Sequence, residues 1–199
     1  MSQLIISVGR EFGSGGRIIA ETLAEKFGIP VYDRHLITEI AEKTGLTPEE
    51  VEKYNENPKK RILSRSVRGY SNSIEDSIAE MQFKFLREKA EQGESFVVVG
   101  RCSETILRDF DSLVSVFVLA DKECKVKRVM EVYELGEQEA KELIVKKDKK
   151  RKRYHNYHCS GHWGDSRLYD ICINSSRLGI EKTADCLESY IRERTQEKQ

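Results

Sequence analysis

Leu4-Ile5-Ile6-Ser7-Val8 runs directly into Gly9-Arg10-Glu11-Phe12-Gly13-Ser14-Gly15-Gly16-Arg17, and Ile18–Phe27 follows with Ile19, Leu23 and Phe27 at four-residue spacing. The first run is short and apolar, as a strand buried on both faces of a parallel sheet reads. The last has the period of an amphipathic helix. Between them, the glycines among residues 13–16 let successive N–H groups turn inward as an anion-holding nest. The helix behind points its positive end at the same spot. The stretch predicts a strand–turn–helix unit that holds phosphate, although the same glycines also suit a tight turn that binds nothing.

Working outward, Phe96–Val99, Leu113–Leu119 and Ile171–Ile173 repeat the buried-strand pattern, and Val31-Tyr32 is a shorter version. Ser73–Gln92, Lys122–Tyr133 and Leu178–Arg194 read as amphipathic helices, and Thr47-Pro48-Glu49-Glu50 carries the signals of a helix start. Strands alternating with helices predict an α/β fold of three layers with right-handed crossovers. Residues 44–72, polar and turn-rich, and 136–165, a basic helix followed by a Tyr/His/Gly loop, are insertions on that core. Such insertions cover the carboxyl ends of the strands, where ligands bind. With no repeat or linker, residues 1–199 are expected to form a single domain.

Composition narrows the function. The chain has 199 residues with 34 basic and 34 acidic side chains, which argues against binding nucleic acid over the whole surface. Cys102, Cys124, Cys159, Cys172 and Cys186 are odd in number and form no CxxC pair, so a reduced setting with buried or inert thiols is expected. Leu4–Val8 lacks a basic leader and is too short for a signal, and no window reaches the ~18–20 apolar residues of a spanning helix. A cytoplasmic protein without a membrane partner is expected; a homodimer stays open.

The glycine-rich turn departs from the common phosphate loop G-x-x-x-x-G-K-[ST], since Gly16 and Arg17 stand where Lys and a metal-binding hydroxyl are expected. Arg17 offers a planar fork for phosphate oxygens in place of an ammonium, and Ser14 is the candidate metal hydroxyl. Ile6–Arg17, Val31-Tyr32-Asp33-Arg34-His35-Leu36-Ile37, Val98-Val99-Gly100-Arg101, Trp163-Gly164-Asp165 and Tyr169-Asp170-Ile171-Cys172-Ile173-Asn174, in that order, resemble the cytidylate kinase-like family of P-loop proteins. The likeness extends from about Leu4 to about Ile191. It implies a P-loop fold with a five-stranded parallel sheet, flanking helices, an acceptor-binding insertion and a helical lid. It also implies ATP as donor, Mg²⁺ as cofactor and a pyrimidine monophosphate such as CMP or dCMP as acceptor. Cys102 follows Gly100-Arg101 where cytidylate kinases carry Asp.

Phosphoryl transfer needs convergent cations and one or two carboxylates. Gly13, Ser14, Gly15, Gly16 and Arg17 are the candidates for the donor phosphates. Asp33 either meets the acceptor hydroxyls or a metal-bound water, or caps the helix after it; Arg34 is a candidate for the acceptor phosphate. Arg101, at a strand's carboxyl end, points toward the ligand crevice and is the main acceptor-phosphate candidate. Lys146–Arg153 carries seven cations and one anion, fit to close over a triphosphate. There Arg151 and Asp148 match the family's lid, with Arg128 on the preceding helix. Asp165 pairs a lid Arg in this reading, and Ser175 sits in a loop that, in this fold, touches the donor base. A nucleic-acid patch using Tyr154 and Tyr157 is the competing use of the basic run. His155, His158, Cys159 and His162 crowd eight positions, but their spacing fits no common zinc pattern, so a lid loop that happens to contain His is expected.

Overall fold

The computed structural model describes residues 3–33, 47, 66–67, 70–71 and 74–196. Its elements run β1 (Ile5–Arg10), α1 (Gly16–Phe27), β2 (Val31–Tyr32), β3 (Ser66–Val67), β4 (Tyr70–Ser71), α2 (Ile74–Glu91), β5 (Phe96–Val99), α3 (Ser103–Ile106), β6 (Leu113–Leu119), α4 (Lys122–Tyr133), α5 (Glu137–His158), β7 (Ile171–Asn174) and α6 (Ser175–Gln196). The helix start at Thr47, most of the 44–72 insertion and Arg34 lie outside the described residues.

The main sheet has the order β2-β5-β1-β6-β7, all parallel, and β3 and β4 form a separate antiparallel pair. Strand β1 is the spine, pairing β5 through Ile5 to Val8 and β6 through Ile5 to Arg10. Its side chains alternate. Ile6 and Val8 face α1 and α6 in a core with Ile19, Leu23, Leu187 and Ile191. Ile5 faces α2 and α3 in a second core with Ile78, Leu86, Phe96 and Leu107. Each such side chain, fully buried, stabilises the fold by about 1.5–3 kcal/mol. The end of β1 is therefore a rigid ledge. On the α3 side, the Ser7 and Ser103 hydroxyls share a hydrogen bond of 2.6 Å, and Ser103 Oγ donates to Gly100 O, fixing the turn after β5.

A third, smaller core places α5. Phe12 from the glycine-rich turn packs with Val126 and Val129 of α4 and Ala140 and Ile144 of α5. The basic helix is thus seated on the turn. Lys147, Lys150 and Arg151 of this helix line one cavity with Arg10 at the end of β1 and with Gly100 and Arg101 after β5. Helix α6 starts at Ser175 but breaks its geometry at Gly179, where φ is 76°. Among the described residues no helix is long and apolar enough to cross a membrane.

Candidate phosphate and nucleotide site

The turn after β1 and the turn after β5 face one another across a cavity of about 440 Å³. Its walls include Gly13, Gly15, Gly16, Arg17, Asp33, Arg101, Arg128 and Arg151, so most of the residues singled out in the sequence converge on one space. Gly13 and Gly15 take φ of 81° and 78°, which side chains rarely adopt. The glycines are spent on conformation there. Gly15 is the N-cap of α1, so the helix N-terminus opens at the cavity wall.

The cations come from four directions. Arg17 lies half exposed at the start of α1, with Nε 3.0 Å from Glu21 Oε1 and 3.4 Å from Asp33 Oδ2. Arg128 Nη1 donates to Gly13 O. Arg151 Nη1 donates to Arg10 O at 3.2 Å, and its guanidinium lies 5.3 Å from the centre of the Phe12 ring. Asp148, one turn before Arg151, accepts a 2.6 Å hydrogen bond from Phe12 N. The pair Asp148 and Arg151 therefore ties the lid to the backbone of the turn. Burial pushes Asp148 above the usual carboxylate range, despite the Phe12 N–H and Arg151 that favour its charge. Arg101 sits in a left-handed run, Gly100-Arg101-Cys102 at φ 71°, 60° and 55°. Two consecutive non-glycine residues there store on the order of 1–2 kcal/mol each.

One functional residue escaped the motif search. Arg10, the last residue of β1, lines the cavity and spans Gly16 and Gly100. A Cβ at Gly16 would lie 2.6 Å from Arg10 Cβ, and one at Gly100 would lie 2.0 Å from Arg10 Nη1. Burial, then the repulsion of Arg151, pushes the Arg10 guanidinium down to about 9, while Asp33 offsets part of this. A half-buried cation on the wall of this cavity is a candidate receptor for an anion. The missing ammonium after the glycines is thus matched by a guanidinium in front of them.

Three expectations are corrected. Ser14 is fully buried; its Oγ donates to Glu11 O and accepts from Gly16 N, so it is spent inside the turn and is no metal hydroxyl facing the cavity. Ser175 is buried and donates to Ser14 O at 2.6 Å, bracing the turn from α6 without lining the cavity. Asp165 turns to Arg167, accepting from its backbone N and its Nε, away from α5; that exposed ion pair holds Asp165 down to about 2. The His cluster also splits. His158 stacks among Phe83, Tyr154 and Tyr157, whereas His155 points to Glu104 and Cys159.

A five-stranded parallel sheet between helices, with a glycine-rich turn at the carboxyl end of its central strand, is the P-loop fold. The model of the cytidylate kinase-like family matches residues 5–177, and the chain belongs to that family. A cytidylate kinase of Methanopyrus kandleri is 28% identical over 199 residues, covering 94% of this chain and 93% of its own. A crystal structure from Eubacterium ventriosum superimposes with a TM-score of 0.76 at 40% identity, covering 96% of this chain and 99% of that one. Shikimate kinase of Bacteroides thetaiotaomicron shares the fold, with a TM-score of 0.57 at 16% identity and coverage of 95% and 98%.

Proposed function

We propose that the protein transfers the γ-phosphate of ATP to a pyrimidine nucleoside monophosphate of the CMP or dCMP kind. The observation that carries this is the convergence of Arg10, Arg17, Arg101, Arg128 and Arg151 on one cavity floored by the glycine-rich turn. Phosphoryl transfer is catalysed by positioning and by neutralising spread negative charge, and a cage of fork-shaped cations does both. The turn, Arg10 and Arg17 hold the donor phosphates. Arg101 takes the acceptor phosphate from the opposite wall. Arg128 and Arg151 close on the transferring group from the lid side, where the docked α5 excludes water.

The donor set suits Mg²⁺, because Asp33 is a carboxylate on the cavity wall beside Arg17 and would hold the hydrated ion. Bound there, Mg²⁺ supplies charge neutralisation between the donor phosphates. The nucleic-acid reading is disfavoured by the lid's aromatics. Tyr154 and Tyr157 both pack on His158, and Tyr157 Oη donates to Asp76 on α2. Bases would find few free rings to stack on.

The test is a coupled assay with Mg·ATP across the common nucleoside monophosphates, run beside calorimetry with the same ligands. Formation of CDP or dCDP above all other diphosphates supports the proposal. Nucleotide binding with no diphosphate formed from any of them overturns it in favour of a binding module.

A further inference from the structure

Beside the phosphate cavity lies a second group of chemically distinct side chains that phosphoryl transfer does not use. Glu104 of α3, His155 of α5 and Cys159 just after it offer one ligand atom each, all within 4.8 Å of one another. The Cys102 thiol neighbours Cys159 but lies outside that group. All four are at least nine-tenths buried: Cys102 at 3% exposure, His155 at 4%, Glu104 at 6% and Cys159 at 9%. Local structure explains the convergence. His155 and Cys159 are four residues apart, and Cys159 N donates to His155 O at 2.8 Å, so one more helical turn brings them to the same face. Cys102 and Glu104 open α3 across from it.

Their bonding is incomplete. Glu104 Oε1 lies 2.7 Å from His155 Nε2, which leaves His155 Nδ1 buried and without a hydrogen-bond partner. A buried, unpartnered ring nitrogen is unfavourable unless something takes its lone pair.

We propose that Glu104, His155 and Cys159 form a site for a thiophilic divalent cation of the Zn²⁺ type, joining the end of the lid helix α5 to α3 just after β5. One sulfur, an imidazole and a carboxylate are three donors of the softness zinc takes, and its fourth tetrahedral position is left to another ligand. They are wrong for Mg²⁺, which takes hard oxygens and keeps its waters. The cation replaces the proton of the Cys159 thiol, and the resulting thiolate and the Glu104 carboxylate balance its two charges. Its place is informative. The site crosslinks α5 to the segment carrying Arg101, so an occupied site fixes the distance between the lid and the acceptor-phosphate cation.

The test is optical and independent of kinase activity. The full chain, reduced and stripped with a chelator, is titrated with Co²⁺ and then with Zn²⁺ near neutral pH. The expected result is one Co²⁺ per chain, with a near-ultraviolet thiolate-to-cobalt band, visible bands of a tetrahedral site, and displacement of both by Zn²⁺. Cys159→Ser abolishes the thiolate band, and Glu104→Gln weakens Co²⁺ binding by roughly 10- to 100-fold. Cys172→Ser, at an exposed thiol, leaves the band unchanged. Absence of a thiolate band in the reduced wild-type protein overturns the proposal, as does a band that survives in Cys159→Ser.

Discussion

Arg10 occupies the space that a side chain at Gly16 would need, since a Cβ built there would lie 2.6 Å from Arg10 Cβ. The two positions are therefore coupled: this turn holds either an arginine before the glycines or a larger residue after them. Gly16→Lys, which writes the common phosphate-loop lysine back into the chain, is expected to destabilise the protein by about 1–3 kcal/mol, because the clash involves a Cβ next to the backbone and cannot be relieved by rotation. Arg10→Gly removes the obstructing atom. Urea unfolding of both single variants and the pair should give a favourable coupling of roughly 0.5–3 kcal/mol. Strictly additive effects would show that the two sites do not compete for space.

The same arginine makes stability and anion binding oppose one another. Its guanidinium is pushed by burial and by Arg151 well below the ordinary arginine range. The ligand-free protein therefore carries a charge that its surroundings disfavour. An anion reverses the balance. Arg10→Met is expected to raise the melting temperature of the ligand-free protein at neutral pH and to weaken pyrophosphate binding at least about tenfold, from the loss of charged hydrogen bonds of ~1.5–3 kcal/mol. Melting scans with and without pyrophosphate, across pH, read both effects. A variant that melts lower and binds equally well would remove Arg10 from the anion site.

How much of this was open to a reader of the sequence follows from the range of the interactions. Strands β5 and β6 and helix α4 fall on the expected residues, because buried strands and amphipathic helices are written locally in apolar spacing. The glycine-rich turn and Arg101 were legible for the same reason. Arg10 was hidden by the motif itself, which directs attention to the residue after the glycines; the available signal was a lone cation at the end of an otherwise apolar strand. Ser14 and Ser175 were misread because a hydroxyl beside glycines has the same sequence signature whether it faces a ligand or, as here, Glu11 O and Ser14 O. The His155 and Cys159 spacing was visible, but their partner Glu104 lies some fifty residues earlier, beyond any local pattern.

The arginines should not be equivalent in turnover. Arg151 is partly buried, held over the Phe12 ring and bonded to Arg10 O, so it is pre-aimed at the cavity. Arg17 is half exposed and shared between Glu21 and Asp33. If the proposed transfer reaction holds, Arg151→Ala is expected to lower kcat by about 10²–10³, the size of losing a pre-organised charge stabiliser. Arg151→Lys should recover little of this, because an ammonium cannot keep the fork geometry. Arg17→Ala should cost less in kcat and more in KM for ATP. Steady-state kinetics on the three variants decides the order, and an Arg17→Ala defect larger than that of Arg151→Ala would place the main stabiliser on α1.

Asp148 holds the lid through a carboxylate that burial raises above its usual range. Its Oδ1 accepts from Phe12 N at 2.6 Å, and Oδ2 lies 3.7 Å from Lys125 Nζ. A raised carboxylate is favoured in its protonated form by the folded state, so its ionisation removes stability as pH rises from 3.8 through the raised value. Asn copies the protonated shape and can still accept from Phe12 N; Ala cannot. Asp148→Ala should therefore cost about 1–3 kcal/mol, the price of an unsatisfied N–H under the lid, while Asp148→Asn should cost markedly less. Asp148→Asn should also lose the fall in stability that the wild-type protein shows across that acid window. Urea unfolding from acid to neutral pH measures all three proteins together. If Asn proves as damaging as Ala, the negative charge itself, paired with Lys125 and Arg151, is what keeps α5 on the turn.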